Sequence, residues 1–122
     1  MTTAIQILAG KIILPASLND SPTARAIARK LPIIGIGQRW GDEIYFDIPV
    51  QMDLEPDARE VMQAGELGYW PTGNAFCIFW GPTPASQGDE IRAASAVNII
   101  GCVQGDPSVL RNVRSGTEVR IE

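Results

Sequence analysis

Histidine is absent from this chain of 122 residues. Its absence removes the commonest general base, the commonest metal ligand and every Ser-His or Cys-His catalytic pair. The segment from Asp53 to Asp57 has the alternating carboxylates that begin a calcium loop, but Ala58 occupies the position that requires glycine. We therefore assign no catalytic residue, no metal site and no cofactor from the sequence.

Cysteines are few, and long apolar runs are lacking. Cys77 and Cys102 are the only cysteines, neither lies in a CxxC pair, and we expect both to be buried free thiols. The apolar stretches fall far short of the roughly 20 residues that a membrane-spanning helix needs. Residues 1–10 also lack the pattern of a signal peptide. We expect a cytoplasmic protein that does not bind membranes.

Basic charge is sparse as well. The net charge is -4 and no long basic run is present, which argues against nucleic acid as a partner because phosphate neutralisation dominates such binding. Hydrophobic residues make up 45% and charged residues 20%, the ordinary range for a globular protein. The length fits a single domain that spans residues 1–122.

Most of the chain consists of short strand patterns separated by turn signals. Residues 4–8 and 12–18 predict an opening hairpin, and Pro15 places its second strand at an edge or a bulge. About eight such strands with few helices favour a mainly β fold, a closed eight-stranded barrel, over alternating βαβ units.

Two short helices are predicted between the strands. Asp20 or Ser21 caps the first and Pro22 occupies its first position, which is a typical helix start. Asp106 caps the second, with Pro107 at its start. We expect these two helices to cover the ends of the barrel.

The aromatic residues are concentrated in one window. Five of the eight lie between Tyr69 and Trp80, in YWPTGNAFCIFW. Such a cluster either lines a ligand-binding surface or packs in the core, and packing is the commoner role in strands. Alternation along a strand puts Phe76, Ile78 and Trp80 on one face. It puts Ala75, Cys77 and Phe79 on the other.

The order of these segments resembles that of the cyclophilins. The opening IQILAGKIILPASLNDSPTARAIARKLP resembles the first two strands and capped helix of that family. The blocks GNAFCIFWGPTP and AVNIIGCVQGDPSVLRNVRSGTEVRIE resemble its later strands, short helix and closing strand. WGDEIYF, GELGYWPTG, IFWGPTP and EIRAASAVNIIG are similar to a family of small prokaryotic cyclophilin-like proteins of unassigned function. The resemblance covers most of the chain and implies a cyclophilin-like fold.

The isomerase residues of the cyclophilins have no counterparts here. Prolyl isomerases of that family use an Arg on the third strand, whereas the comparable strand, residues 43–50, has no Arg and carries Glu43 and Asp47. The pocket Phe of the family aligns at Cys77, and its loop Trp and His are missing from residues 85–91. The resemblance therefore implies a protein without efficient peptidyl-prolyl isomerase activity.

The interpretation we favour is a binding module whose modified groove holds a small molecule or a peptide. The candidate ligand-binding residues are Glu43, Tyr45, Tyr69, Trp70, Cys77, Pro82, Thr83, Arg92 and Asn98. Arg92 would hold an anionic or prolyl ligand, unless it forms a surface ion pair with Asp89 or Glu90.

Two alternatives to the binding module stay open. The first is an enzyme, an atypical or weak peptidyl-prolyl cis-trans isomerase in which Arg39 or Arg92 replaces the missing Arg. The second is a regulatory or structural subunit of a larger assembly, with a protein partner or a second copy of the chain.

Overall fold

The structure, a computed structural model, describes residues 2–122 and is built mainly from β-strands. In those residues it has ten strands, one α-helix and two 3₁₀ helices. The strands are β1 (Thr3–Ala9), β2 (Ile12–Leu18), β3 (Ile33–Ile36), β4 (Gln38–Arg39), β5 (Glu43–Asp47), β6 (Arg59–Met62), β7 (Glu66–Trp70), β8 (Ala75–Phe79), β9 (Ile91–Val103) and β10 (Glu118–Ile121). The helices are α1 (Pro22–Ala28) and the 3₁₀ segments Pro71–Gly73 and Pro107–Asn112.

The strands form one antiparallel path in the order β3-β10-β1-β2-β9-β7-β8-β5-β4, and β6 pairs with β9 beside it. The prediction of a closed eight-stranded barrel is wrong, because hydrogen bonds do not close this sheet over residues 2–122. The two edge strands are successive pieces of one extended run, joined through Gly37. In the described residues β3 pairs with β10 and β4 pairs with β5. Neither strand has hydrogen-bonded partner strands on both of its sides, which closure of the sheet would require.

The buried side chains form two clusters. The larger one contains most of the core and includes Phe46, Phe76 and Ile78, with the first two rings stacked at 5.3 Å between centroids. The smaller one contains Cys77 and Phe79. Alternate residues of β8 enter different clusters, so the predicted division of the aromatic window into two faces is confirmed.

The predicted starts of both helical segments are confirmed. The Ser21 hydroxyl accepts a hydrogen bond from the Ala24 amide at 3.2 Å, and Pro22 opens α1. The Asp106 carboxylate accepts from the Ser108 amide at 3.0 Å, although the segment it caps is a 3₁₀ helix. Helix α1 buries one side, which includes Ile27, against the sheet.

A buried amide fastens α1 and the loop after β5 to the sheet. Asn98 on β9 is fully buried, and its Nδ2 donates to the Thr23 hydroxyl and the Asp53 carbonyl, each at 3.0 Å. Its Oδ1 accepts from the Glu55 amide at 2.7 Å. The Thr23 hydroxyl donates in turn to the Glu55 carboxylate. Each polar group in this network has a partner, which is the condition for burying it without a large cost in stability.

The two cysteines differ in exposure, so the expectation of two buried thiols holds for Cys77 alone. Cys102 is exposed because it faces outward on β9, 3.9 Å from the Ser17 hydroxyl. The prediction that Pro15 places its strand at an edge or a bulge is wrong, because β2 lies between β1 and β9 and pairs with β1 in regular register through Pro15. Pro15 lies at the end of the pairing between β2 and β9, where its carbonyl accepts from the Gln104 amide at 2.8 Å. Among residues 2–122 there is no helix of the length and apolarity needed to cross a membrane.

Candidate functional site

A pocket of about 220 Å³ lies on the side of the sheet opposite the larger core. We call it the Glu43 pocket. Its lining residues are Trp40, Glu43, Tyr45, Trp70, Cys77, Ala93, Ala94 and Val97. The walls are apolar and aromatic, and Glu43 supplies the one carboxylate. A largely apolar concavity with a single charged group is the usual composition of a small-molecule site.

Strand pairing brings the acidic and thiol side chains together. Glu43 and Tyr45 share a face of β5, because side chains two apart in a strand point the same way. The register of β5 against β8 sets Tyr45 opposite Cys77. The intervening residues Ile44 and Phe46 enter the larger core, which fixes the orientation of the strand.

The aromatic walls are held by contacts outside the pocket. The Trp70 indole Nε1 donates to the Ser95 hydroxyl at 2.6 Å. The Trp40 amide donates to the Glu43 carbonyl at 3.0 Å across the tight turn at Gly41. The Trp40, Tyr45 and Trp70 side chains are half-buried, so each keeps part of its ring accessible to a ligand.

The third wall comes from an irregular part of β9. The pairing of β9 with β6 shifts register between Arg92 and Val97, and Ala93 and Ala94 lie within this irregular stretch. Val97 packs closely over Gly68, where an added Cβ would lie 2.8 Å from the Val97 Cγ2. Because Gly68 has no side chain, Val97 can pack directly over β7 and form this wall of the pocket.

The Glu43 carboxyl is buried without a cation. Its residue is 5% exposed, and none of the ion pairs in residues 2–122 includes it. Burial raises the pKa of Glu43 to about 7, although a hydrogen bond with the Cys77 thiol acts in the opposite direction. Near neutral pH this group can exist in either protonation state.

The Cys77 thiol interacts with the Glu43 carboxyl. Burial raises the pKa of Cys77 well above its usual value, and the charge and hydrogen bond of Glu43 add to that rise. A thiol in such surroundings stays protonated and is a poor nucleophile. The arrangement does not supply covalent catalysis through Cys77.

The structure brings four of the nine sequence-predicted site residues into this pocket, namely Glu43, Tyr45, Trp70 and Cys77. Tyr69 is fully buried in the larger core, and its hydroxyl donates to the Val50 carbonyl at 2.7 Å. Asn98 is committed to the network described above.

The remaining three predicted residues lie in or beside the turn after β8. Pro82 is exposed, and its carbonyl accepts from the Asp42 amide at 2.9 Å. Thr83 is buried and donates to the Arg92 carbonyl. Arg92 forms ion pairs with Glu90 at 2.5 Å and Glu60 at 3.2 Å, so the ion-pair alternative describes its position.

Sequence reasoning missed half of the lining, the Trp40 ring and the three β9 residues. The turn signal Gly41-Asp42 directly after Trp40 indicates that the chain reverses there, which would return the ring towards β5. The small residues of the run RAASAV were a further signal, since small side chains leave space. The register shifts of β9 have no signature that a single sequence displays.

Two other features of the described residues lack the character of a ligand or metal site. A wider depression of about 690 Å³ lies over residues 51–56, but Gln51, Asp53, Leu54 and Pro56, half of its lining, are exposed. In the described part of the chain no group of three or more acidic or Cys side chains is arranged to hold a metal ion. The Glu43 pocket is the concavity that combines apolar walls with a buried charge.

The fold and the pocket together define a class, a small antiparallel β domain with one aromatic-walled site on the outer face of its sheet. The chain belongs to the cyclophilin-like family, whose sequence profile matches residues 3–122. The resemblance inferred from the sequence is thereby confirmed.

The chain is similar to several solved structures, including the following two. A hypothetical protein from Archaeoglobus fulgidus is 38% identical, with a TM-score of 0.83, and the match covers 98% of this chain and 93% of that one. McbB, solved in complex with tryptophan, is 14% identical, with a TM-score of 0.67, and the match covers 97% of this chain and 44% of that one. The second likeness concerns the fold alone. The comparison with curated proteins gave no match.

Proposed function

We propose that this protein binds a small molecule or a peptide side chain in the Glu43 pocket and is not an efficient prolyl isomerase. One observation carries the proposal: Glu43, a residue only 5% exposed, has no cationic partner in residues 2–122 and lines an apolar pocket that opens to solvent. An isolated buried carboxylate destabilises a fold. Its presence is explained if a ligand uses it.

The size of the pocket limits the ligand. A cavity of 150 Å³ holds benzene, so by proportion about 220 Å³ admits roughly eight to ten non-hydrogen atoms. A single ring with a short substituent meets this limit, as does one prolyl or aromatic side chain of a peptide. Larger ligands would leave part of their bulk outside, against the half-buried rings at the rim.

The charge of the pocket argues against isomerase activity. The cyclophilin prolyl isomerases that this chain resembles stabilise the twisted prolyl amide with an Arg. The Glu43 pocket has no Arg in its lining. The Arg39 guanidinium donates to the Arg111 and Val113 carbonyls at 2.9 Å and stacks on Trp80. Arg92 is held by Glu90. Both guanidinium groups proposed for an atypical isomerase are thus engaged by other protein groups, which supports a binding function over isomerase activity.

A binding experiment tests the proposal. Ligand-observed NMR would screen cationic, neutral and anionic aromatic fragments of about eight to ten non-hydrogen atoms. Ala94→Phe would place a ring at the exposed rim of the pocket, and we expect it to abolish the binding seen with wild type. Ser17→Ala, on the distant strand β2, is the control variant and should bind as wild type does.

Two results would contradict the proposal. One is a wild-type protein that binds no fragment; the other is binding that Ala94→Phe leaves unchanged. A proline-peptide isomerisation assay tests the enzyme alternative, and we expect a rate equal to background. If a rate above background appeared, Arg39→Ala and Arg92→Ala would identify the guanidinium responsible.

A further inference from the structure

We infer that the Glu43 pocket selects small organic cations, namely amines with a ring-sized apolar body, over neutral and anionic ligands of the same shape. This inference rests on the proposed function and deepens it, since it names the chemical class that the pocket prefers. It depends on the charge, the aromatic lining and the thiol of the pocket, taken in turn.

The charge of the pocket is complementary to that of a cation. Glu43 is the one charged residue in the lining, and it has no cationic partner in the part of the chain that is described. Removing one member of a buried ion pair is strongly unfavourable because the other charge is left uncompensated. An ionised Glu43 without a bound cation is in that condition, and the ammonium group of a ligand would supply the partner that it lacks. An anion would be repelled both by Glu43 and by the net charge of -4.

The aromatic lining of the pocket also favours a cation. Trp40, Tyr45 and Trp70 contribute three of the eight lining residues, and rings around a cavity attract cations through their electron-rich faces. The Trp70 indole N–H is already used by Ser95, at 2.6 Å. What Trp70 offers a ligand is therefore its π surface and not a hydrogen-bond donor. A carboxylate with such rings is the combination that recognises an ammonium group.

Cys77 lies in the pocket beside Glu43, so the charge of its thiol affects which ligands the pocket can hold. Its thiol remains neutral, so it adds no second negative charge that would require a divalent ligand. Ala93, Ala94 and Val97 on β9 carry no ionisable group. One negative charge in an apolar cavity matches one positive charge on an apolar ligand.

Three probes of nearly equal shape test this inference: benzylamine, benzyl alcohol and benzoate. Each would be titrated into the protein at about pH 8, above the pKa of Glu43, in phosphate buffer so that no buffer amine competes. Quenching of Trp fluorescence or amide shifts in NMR spectra would report binding. We expect benzylamine to bind at least about tenfold more tightly than benzyl alcohol, as a charge-assisted hydrogen bond implies. Benzoate should bind most weakly.

Two variants assign the selectivity to the carboxylate. Glu43→Gln keeps the shape of the side chain and removes its charge. We expect this variant to bind benzylamine about ten- to a hundredfold more weakly than wild type does. The same variant should change the affinity for benzyl alcohol by less than about threefold, within the spread of neutral hydrogen bonds. Asp47→Asn removes an exposed charge from the same strand and should leave the preference for benzylamine intact.

The outcomes separate this inference from the proposed function. If benzyl alcohol or benzoate binds wild type as tightly as benzylamine, the pocket is a ligand site but the preference for amines is wrong. If Glu43→Gln binds benzylamine as wild type does, the assignment to the carboxylate is wrong. If benzylamine does not bind wild type while other fragments of the screen do, the preference for amines is wrong and the proposed function stands; if no fragment of the screen binds, both are overturned.

Discussion

Replacement of Glu43 by Gln should stabilise the protein in a pH-dependent way. The pKa of the carboxyl rises from 4.5 to about 7 on folding, mainly because burial disfavours the charged form. The folded state therefore binds this proton more tightly than the unfolded chain. The stability that the protonated carboxyl contributes is fully present below about pH 4.5 and is lost as the pH rises through about 7.

The size of the effect follows from the shift. One pKa unit is worth about 1.4 kcal/mol, so a rise from 4.5 to about 7 corresponds to about 3 kcal/mol of stability lost at high pH. Gln does not ionise and is free of this penalty. Relative to wild type, the free energy of unfolding of Glu43→Gln should thus increase by about 3 kcal/mol between about pH 4.5 and pH 8.

Urea denaturation of both proteins across this pH range measures the difference. Other carboxyls titrate equally in the two proteins, so their contribution cancels when the free energies are subtracted. Asp47→Asn is the matched control, since it removes a charge at an exposed position of the same strand. A difference between Glu43→Gln and wild type that stays constant with pH would show that folding does not raise the pKa of Glu43. An equal pH dependence in Asp47→Asn would show that the effect does not come from burial.

Three further predictions concern the residues around the pocket and the network. Asn98→Ala should lower the free energy of unfolding by about 2–4 kcal/mol in urea denaturation, because it leaves buried hydrogen-bonding groups without partners; a loss below about 0.5 kcal/mol would contradict this. Gly68→Ala should cost about 1–3 kcal/mol and weaken ligand binding, because the new Cβ meets Val97; unchanged binding would contradict the role of Gly68 in forming the wall. A thiol reagent should modify Cys102 promptly and Cys77 only on unfolding; two fast thiols would show that Cys77 is accessible.

Much of the local structure could be predicted because it depends on neighbours in sequence. Ser21 and Pro22 define a helix start through backbone groups a few residues away, and the structure has that start. Alternation along β8 is equally local, and the division of Phe76 and Ile78 from Cys77 and Phe79 that it predicted is present in the structure. The resemblance to the cyclophilin-like family supplied the order of the strands.

Long-range features were harder to predict. Closure of the sheet depends on whether β3 and β4 find partners on both sides, and strand patterns do not state which edges meet. Tyr69 looked like a rim residue, but β7 is paired on both sides and its side chain enters the larger core. Arg92 looked like an anchor, but the β6 strand brings Glu60 beside it. Each of these outcomes is set by contacts between segments far apart in the chain.

The most direct measurement of the central claim is an NMR titration of the Glu43 side-chain carboxyl, with and without saturating benzylamine. We expect a pKa of about 7 in the free protein and a lower value with the amine bound, since a nearby cation favours the ionised form. An ordinary pKa in the free protein, or one that benzylamine at saturation leaves unchanged, would contradict the claim.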